Sequence, residues 1–363
     1  MGNRRLLAVL AAAVVLAVGC GTSSTSSGST AKKGKIAVLL PDSQSSSRWE
    51  NDDRKFFGAA FQAAGLKTSD YIIQNAGGVA STQQTQADAA ITNGATVLLL
   101  VNLDSGSGAT IEKNAAAKGV KTIDYDRLTL NGVADYYVSF DNVSVGKLQG
   151  QGLVKCLTDK SVANPKIVEL NGSPTDNNAT LFKQGYDSVL QPKYASSQYT
   201  KVADQSVPAW DNQQALTIFE QIIAAHPQVD GVLAANDGLG NAVVSALKSR
   251  QLNGKIPVTG QDATAEGIQN IIAGDQCMTV YKAIKKEADA AAKLALELRN
   301  GTTPAEATGS VNNQTKDVKS VLLIPVAVTK TNIKSTVLAD KFRTVAEICP
   351  ANLAQACASL GLS

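Results

Sequence analysis

Short, unbroken apolar runs alternate with longer amphipathic stretches from Lys35 almost to the end of the chain. "KIAVLL" precedes "WENDDRKFFGAAFQAAG", "DYIIQN" precedes "STQQTQADAAITNGA", and "TVLLLV" precedes "GATIEKNAAAKG". "VKTIDY" follows, and the pattern resumes with "YYVSF", "KIVELN", "GVLAAND", "KIPVTGQD" and "CMTVYK". A strand covered on both faces has no polar side to show, so it reads as a continuous β-branched run. Helices of about ten to fifteen residues between such strands supply the covers. The pattern therefore predicts an α/β fold on parallel sheets. It holds more strands than one doubly wound domain, which predicts two α/β lobes, and it shows no repeat of solenoid length.

The N-terminus follows another rule. Met1 to Arg5 carries two arginines, and Leu6 to Val18 is an apolar run of thirteen. That run is short for a bilayer span and has the charge and length of a secretory signal peptide over residues 1–19. "LAVGC" ends on Cys20 and resembles the lipobox of bacterial lipoproteins, with Ala17 where leucine is usual. Cys20 is thus the expected lipidation site. Residues 20–33, in the tract "GTSSTSSGSTAKK", are too polar to pack and suit a tether.

About 340 residues remain, enough for two ordinary domains. With 44% hydrophobic residues the chain supports a proper core, and its net charge of +3 is spread without a dense basic run. That composition argues against a nucleic-acid partner. Cys156, Cys277, Cys349 and Cys357 are left for an oxidising compartment, where three connectivities are open to them. Cys349 and Cys357 lie close together around Pro350, which favours that pair and leaves Cys156 with Cys277. No cysteine stands in a CxxC pattern, and His226 is the lone histidine, so no metal site and no cofactor is expected.

In open α/β sheets ligands bind beyond the carboxyl ends of the strands. Here nearly every strand ends in polar residues: Pro41-Asp42, Asn102 to Ser105, Asp124 to Arg127, Asn171 to Asn178, Asn236-Asp237, Gln261-Asp262 and Tyr281-Lys282. A sugar offers hydroxyls that both donate and accept, above and below which lie apolar C–H faces. Planar carboxylates, amides and guanidinium forks match the rim, and aromatic rings cover the faces. Arg48, Asp126, Arg127, Asn178, Asn236, Asp262 and Lys282 would supply the rim, and Trp49 and Trp210 the rings. Plainer readings stand beside these. Trp49 opens a helix and suits core packing, "YDR" suits a surface turn, and Asp176 or Asn177 suits a helix cap.

Catalytic patterns are weak by comparison. There is no G-x-S-x-G elbow and no P-loop, and His226 sits at a helix end beside a proline. "GLGNAV" lacks the third glycine of a dinucleotide fingerprint. Asp126 and Asp262 could flank a glycosidic bond, but among so many hydrogen-bonding groups they read as ligand-orienting. No catalytic residue is assigned.

The residues carry a resemblance. "KIAVLLPD…RWENDDRKF", "TIDYDRL", "YYVSFDNVSVGKLQG", "ELNGSPTDNNATLFKQGY", "AANDGLGNAV", "TGQDATAEGIQNIIAGDQCMTVYK" and "LLIPVAVTKTNI" are similar, in order and spacing, to periplasmic sugar-binding proteins of ABC transporters. The similarity runs from Lys35 to about Val337, and is greatest to the D-xylose and multiple-sugar binders of that group. It implies the type I periplasmic binding protein fold: two Rossmann-like lobes joined by a three-stranded hinge, with sugar held between them. Crossings would fall near Phe140-Asp141, Tyr281-Lys282 and Pro325-Val326. One lobe would span residues 34–140 plus 283–325, and the other 141–282 plus 326–363.

By the same resemblance Arg48, Trp49, Asp126 and Arg127 face the sugar from the first lobe. Asn178, Trp210, Asn236 and Asp262 face it from the second, with Lys282 at the hinge. Thr180 stands where the xylose binder has lysine, "PDSQSSSRW" is a residue longer, and "EICPANLAQAC" extends past the family's usual end. The implied protein is a monomeric, lipid-anchored extracytoplasmic receptor for a monosaccharide, xylose before glucose or another aldose, serving ABC permease subunits. The alternative is a sugar sensor for a chemoreceptor or kinase. A transcription regulator is disfavoured by the signal and the lack of a helix-turn-helix.

Overall fold

The computed structural model describes residues 34–362, so the expected signal peptide, the expected lipidation site Cys20 and the expected tether lie outside the described residues. Strand β1 (Lys35–Leu40) leads through a π-helical turn, Trp49–Asp53, into α1 (Arg54–Ala63). Then come β2 (Tyr71–Asn75), α2 (Ala80–Thr92), β3 (Ala95–Leu100), α3 (Ser105–Ala117), β4 (Lys121–Tyr125) and β5 (Tyr136–Phe140). In β1 and β3 all but one residue is buried, and β5 is buried throughout, as expected of strands covered on both sides. Phe57 and Phe61, one turn apart on α1, pack with Tyr125 and Tyr71 over one face of the sheet.

The second lobe begins with α4 (Asn142–Asp159), β6 (Lys166–Asn171), α5 (Asn177–Ala195) and β7 (Thr200–Ser206). It continues with α6 (Asn212–Ala225), β8 (Gly231–Ala234), α7 (Asp237–Ser249), α8 (Ala265–Ala273) and β9 (Thr279–Tyr281). The chain then returns: α9 (Ile284–Arg299) packs on α1 and β3, and the hairpin β10 (Gly309–Asn312) and β11 (Asp317–Leu323) joins the first sheet. Finally β12 (Val326–Val328) pairs antiparallel with β9. The first sheet has the order β10-β11-β5-β4-β3-β1-β2 and the second β7-β6-β8. Apart from the β10–β11 hairpin both sheets are parallel.

One expectation needs correction. "KIPVTGQD" does not form a strand; only Val258 bridges to Val232. Pro257 has no N–H to donate, and Asp262 and Ala263 turn away with positive φ. The hairpin β10–β11 carries polar residues at most positions, so its sequence does not read as a strand pair.

Each sheet reverses its strand order once, beside β1 in the first and beside β6 in the second. Loops gather at such switch points. Five of the following helices start on a capping side chain, from Asp104, Asp141, Asp176, Asp211 and Asn236, each accepting a backbone N–H of the first turn. Helices α4 and α5 meet backbone to backbone at Gly146 and Gly185, where a Cβ on either would enter the other helix. This close approach sets Asn142 Nδ2 2.9 Å from Asn178 Oδ1.

The C-terminal segment after β12 packs Ile333, Val337, Phe342, Ile348 and Cys357 onto Ile268, Ile271 and Ile272 of α8. Disulfides join Cys156 to Cys277 and Cys349 to Cys357. Among the described residues no helix is long and apolar enough to cross a membrane.

Candidate functional site

The polar strand ends of both lobes meet in one buried pocket. Arg48, Trp49, Asp126 and Arg127 line it from the first lobe, Asn178, Trp210, Asn236 and Asp262 from the second, and Lys282 from the end of β9. All the sequence-nominated side chains are thus brought together. Ser45, Ser46, Asp176, Phe182 and Gln261 complete the wall.

Arg48 anchors the first-lobe half. It is 1% exposed. Its Nε and Nη2 form a fork with Asp53 at 2.9 and 2.8 Å, while Nη1 reaches Asp126 at 2.7 Å and Nη2 also reaches Glu287 at 2.7 Å. Burial opposes the charge on Arg48, but Asp53, Asp126 and Glu287 outweigh it and hold the guanidinium protonated. Asp126 adopts φ 61°, and its backbone oxygen accepts from Tyr137 and Ser139. Burial pushes its carboxyl up, yet Lys282, Arg48 and Arg127 more than reverse this and keep it ionised. Glu287, also fully buried, goes the other way: burial, only partly opposed by Arg48, raises it to about 8.

Trp49 combines core packing with a place in the pocket wall. It is 2% exposed and packs with Phe57 and Val38 in the core. The ring nevertheless lines the pocket, its Nε1 donates to Ser45 Oγ, and the guanidinium carbons of Arg48 and Arg127 lie 4.4 and 5.5 Å from its centre. Such cation–ring packing fixes the plane of the indole. Arg127 pairs across the cleft with Asp176 at 3.1 Å.

The second-lobe residues are placed by backbone and caps. Asn178 follows the cap residue Asp176 and donates to Asp126 Oδ1 at 3.0 Å. Asn236 caps α7 through Oδ1, leaving Nδ2 3.4 Å from the Ser45 carbonyl. Trp210 takes φ 56°, lies against Gly172 with no room for a side chain there, and donates to Asp176 at 3.0 Å. Phe182 meets it edge-on at 6.3 Å. Asp262 takes φ 100° and faces Lys282 at 3.4 Å. Burial works against the Lys282 charge, and Asp126 and Asp262 overcome it.

Sequence reading missed Asp53, Asp176 and Glu287 as parts of this site. Asp53 and Glu287 sit in helical stretches flanked by charged residues, the pattern of a solvent face. Asp176 was read as a cap only, whereas its second oxygen also holds Arg127 and Trp210. Thr180, at a position that departs from the resemblance, is exposed on α5 outside the pocket wall.

The pocket offers about 30 Å³, two to three times the roughly 10–15 Å³ that a single water needs. Beside it lies a cavity of about 440 Å³ bounded by Arg127, Trp210, Asp42 and Asp104. The groups that face inward are the directional, two-pronged donors and acceptors suited to a polyol, and they come from both lobes.

The family described as "Periplasmic binding protein domain" matches residues 36–303. The D-xylose-binding periplasmic protein of Escherichia coli (strain K12) is 38% identical over 319 residues, 88% of this chain and 93% of that protein. The multiple sugar-binding periplasmic receptor ChvE of Rhizobium radiobacter is 34% identical, covering 85% and 90%. Among solved structures, a carbohydrate transporter solute binding protein from Chloroflexus aurantiacus in complex with D-glucose superposes with a TM-score of 0.79. It is 30% identical and covers 86% of this chain and 97% of its own. The chain belongs to the periplasmic binding protein family, among the sugar-binding proteins of ABC transporters.

Proposed function

We propose that this protein is the extracytoplasmic receptor of an ABC importer for a monosaccharide, D-xylose first and glucose or another aldose next. One observation carries the reading: guanidinium, carboxylate, amide and ammonium groups of two lobes converge with Trp210 on a single buried pocket. The relatives named for D-xylose and the neighbour holding D-glucose support that order of sugars. In this reading the lobes are residues 34–140 with 283–325, and 141–282 with 326–363. They part to admit the sugar and close over it, and the closed form is what the permease recognises. A ligand moves that balance only through contacts it gains on closure. Arg48, Asp126, Arg127, Asn178, Asn236, Asp262 and Lys282 would bind hydroxyls, and Trp49 and Trp210 would flank the ring. Cys20 would carry the lipid anchor, and the protein would act as a monomer.

A thermal-shift panel of xylose, glucose, galactose, arabinose and ribose tests this. A ligand at a hundred times its Kd adds about 2.7 kcal/mol of stability, so xylose should raise Tm most. No shift with any of the five sugars would sink the proposal. The 34% identical relative named as a receptor favours a second reading, in which the sugar-loaded form also signals to a sensor. Loss of uptake but not of the sugar response on deleting the permease would support it.

A further inference from the structure

The segments that bear the site residues of the two lobes are tied together behind the pocket by one side chain outside both. Arg343, in the C-terminal segment, is 7% exposed. Its Nη1 and Nη2 donate to the two oxygens of Asp52 at 3.0 and 3.1 Å, and its Nε donates to the carbonyl of Ala263 at 3.1 Å. Its guanidinium carbon lies 3.9 Å from the centre of the Phe342 ring. Asp52 belongs to the π-helical turn Trp49–Asp53, where its neighbour Asp53 forks Arg48. Two adjacent aspartates thus hold two arginines, one inside the pocket and one behind it. Ala263 directly follows Asp262, and both have left-handed backbone, at φ 50° and 100°. Such backbone persists only where its surroundings over-determine it. Here Val280 O fixes the N–H of Asp262, Thr279 Oγ1 that of Ala263, and Arg343 the carbonyl of Ala263.

We infer that Arg343 is a positioning residue of the binding site, clamping the Asp262 loop of the second lobe to the Arg48–Trp49 turn of the first. The C-terminal segment packs on α8 through Phe342 and Ile348, and Gln269 of α8 donates to Glu347 O at 2.7 Å. Arg343 therefore travels with the second lobe, and its fork to Asp52 must break, along with the pocket's own cross-cleft contacts such as Arg127 to Asp176, when the lobes part. It does not line the pocket; it acts through the two segments it joins. The inference rests on the proposed opening and closing of the cleft, whichever sugar enters.

The test uses the full chain with Arg343→Met, which keeps the stem over Phe342, Asp52→Asn, which keeps the shape, and the double variant. D-xylose and D-glucose serve as probes in stopped-flow tryptophan fluorescence. We expect koff to rise at least about tenfold in each single variant with kon nearly unchanged, because breaking one buried charge pair acts on dissociation. The double variant should be no worse than Arg343→Met alone, since that substitution already removes the contact to Asp52 together with the bond to Ala263. In small-angle scattering without sugar, Arg343→Met should have a larger radius of gyration than the parent. Unchanged koff and radius, or additive losses, would overturn the clamp. If the parent binds neither sugar, the proposed function fails while the radius still decides the clamp. If Arg343→Met does not fold, Asp52→Asn carries the same comparison.

Discussion

The two lobes place their site residues by different physics. In the first, a web of buried ions does so: Arg48 is gripped by Asp53, Asp126 and Glu287, and none of its nitrogens is left to wander. In the second, caps and backbone do so. Asn236 and Asp176 hold helix starts, Trp210 and Asp262 sit on left-handed backbone, and the Cys156–Cys277 disulfide staples the last turn of α4 to the segment that enters β9. An ion web is fixed by mutual charge and fails as a unit when one member goes. A cap or a turn fails locally. The first half of the site should therefore be brittle to substitution, and the second tolerant.

The largest effect should come from Arg48→Met. It leaves Asp53, Asp126 and Glu287 buried beside one another, and breaking a buried pair costs about 3–5 kcal/mol. Urea denaturation should show that loss together with lost sugar binding; a stable variant would mean the web is not what orders the first lobe. Cys156→Ser comes next. Its bridge closes 121 residues of sequence, and a loop of about 100 residues contributes roughly 4.7 kcal/mol as an upper value. Cys349→Ser, whose bridge spans only 8, should lose less than about 3 kcal/mol.

A smaller and more diagnostic effect is expected from pH. Glu287 is raised from 4.5 to about 8 on folding, so the folded state holds the proton more tightly. Its contribution is complete below the unfolded value and is lost as pH rises through about 8. Asp237, a second-lobe carboxyl raised from 3.8 to about 7 by burial, adds in the same direction. Stability should thus fall from pH 5 toward 8, and Glu287→Gln should flatten the slope measured by denaturation at several pH values. Asp126 acts outside that window, since its lowered pKa makes its contribution vanish only in acid. The smallest effect should be that of Asn236→Ala, roughly 0.5–2 kcal/mol from the lost cap. It should weaken sugar binding while leaving the pH slope as it was.

This contrast also explains what could be read from the sequence. Parallel strands buried on both faces announce themselves as apolar runs, and their last residues can be named from the run alone. Asp126, Asn178, Asn236 and Lys282 were legible for that reason. Glu287 was not, because "IKKEADAAAK" reads as a solvated helix and only the return of α9 against β3 puts its carboxyl under Arg48. Arg343 and Asp52 are 291 residues apart, and no local pattern links them. The Asp262 turn was hidden differently. "KIPVTGQD" has strand composition, and the departure comes from Pro257 and from neighbours remote in sequence.

The π-helical turn at Trp49–Asp53 has a consequence for how this protein can change over time. The N–H of Arg54 bonds the carbonyl of Trp49, five residues back, so the turn stores one residue more than an α-helical turn. A residue gained or lost in the serine-rich loop before it can be absorbed there, without rotating Phe57 and Phe61 off the sheet. Loop length is thereby free to evolve while the scaffold stays in register.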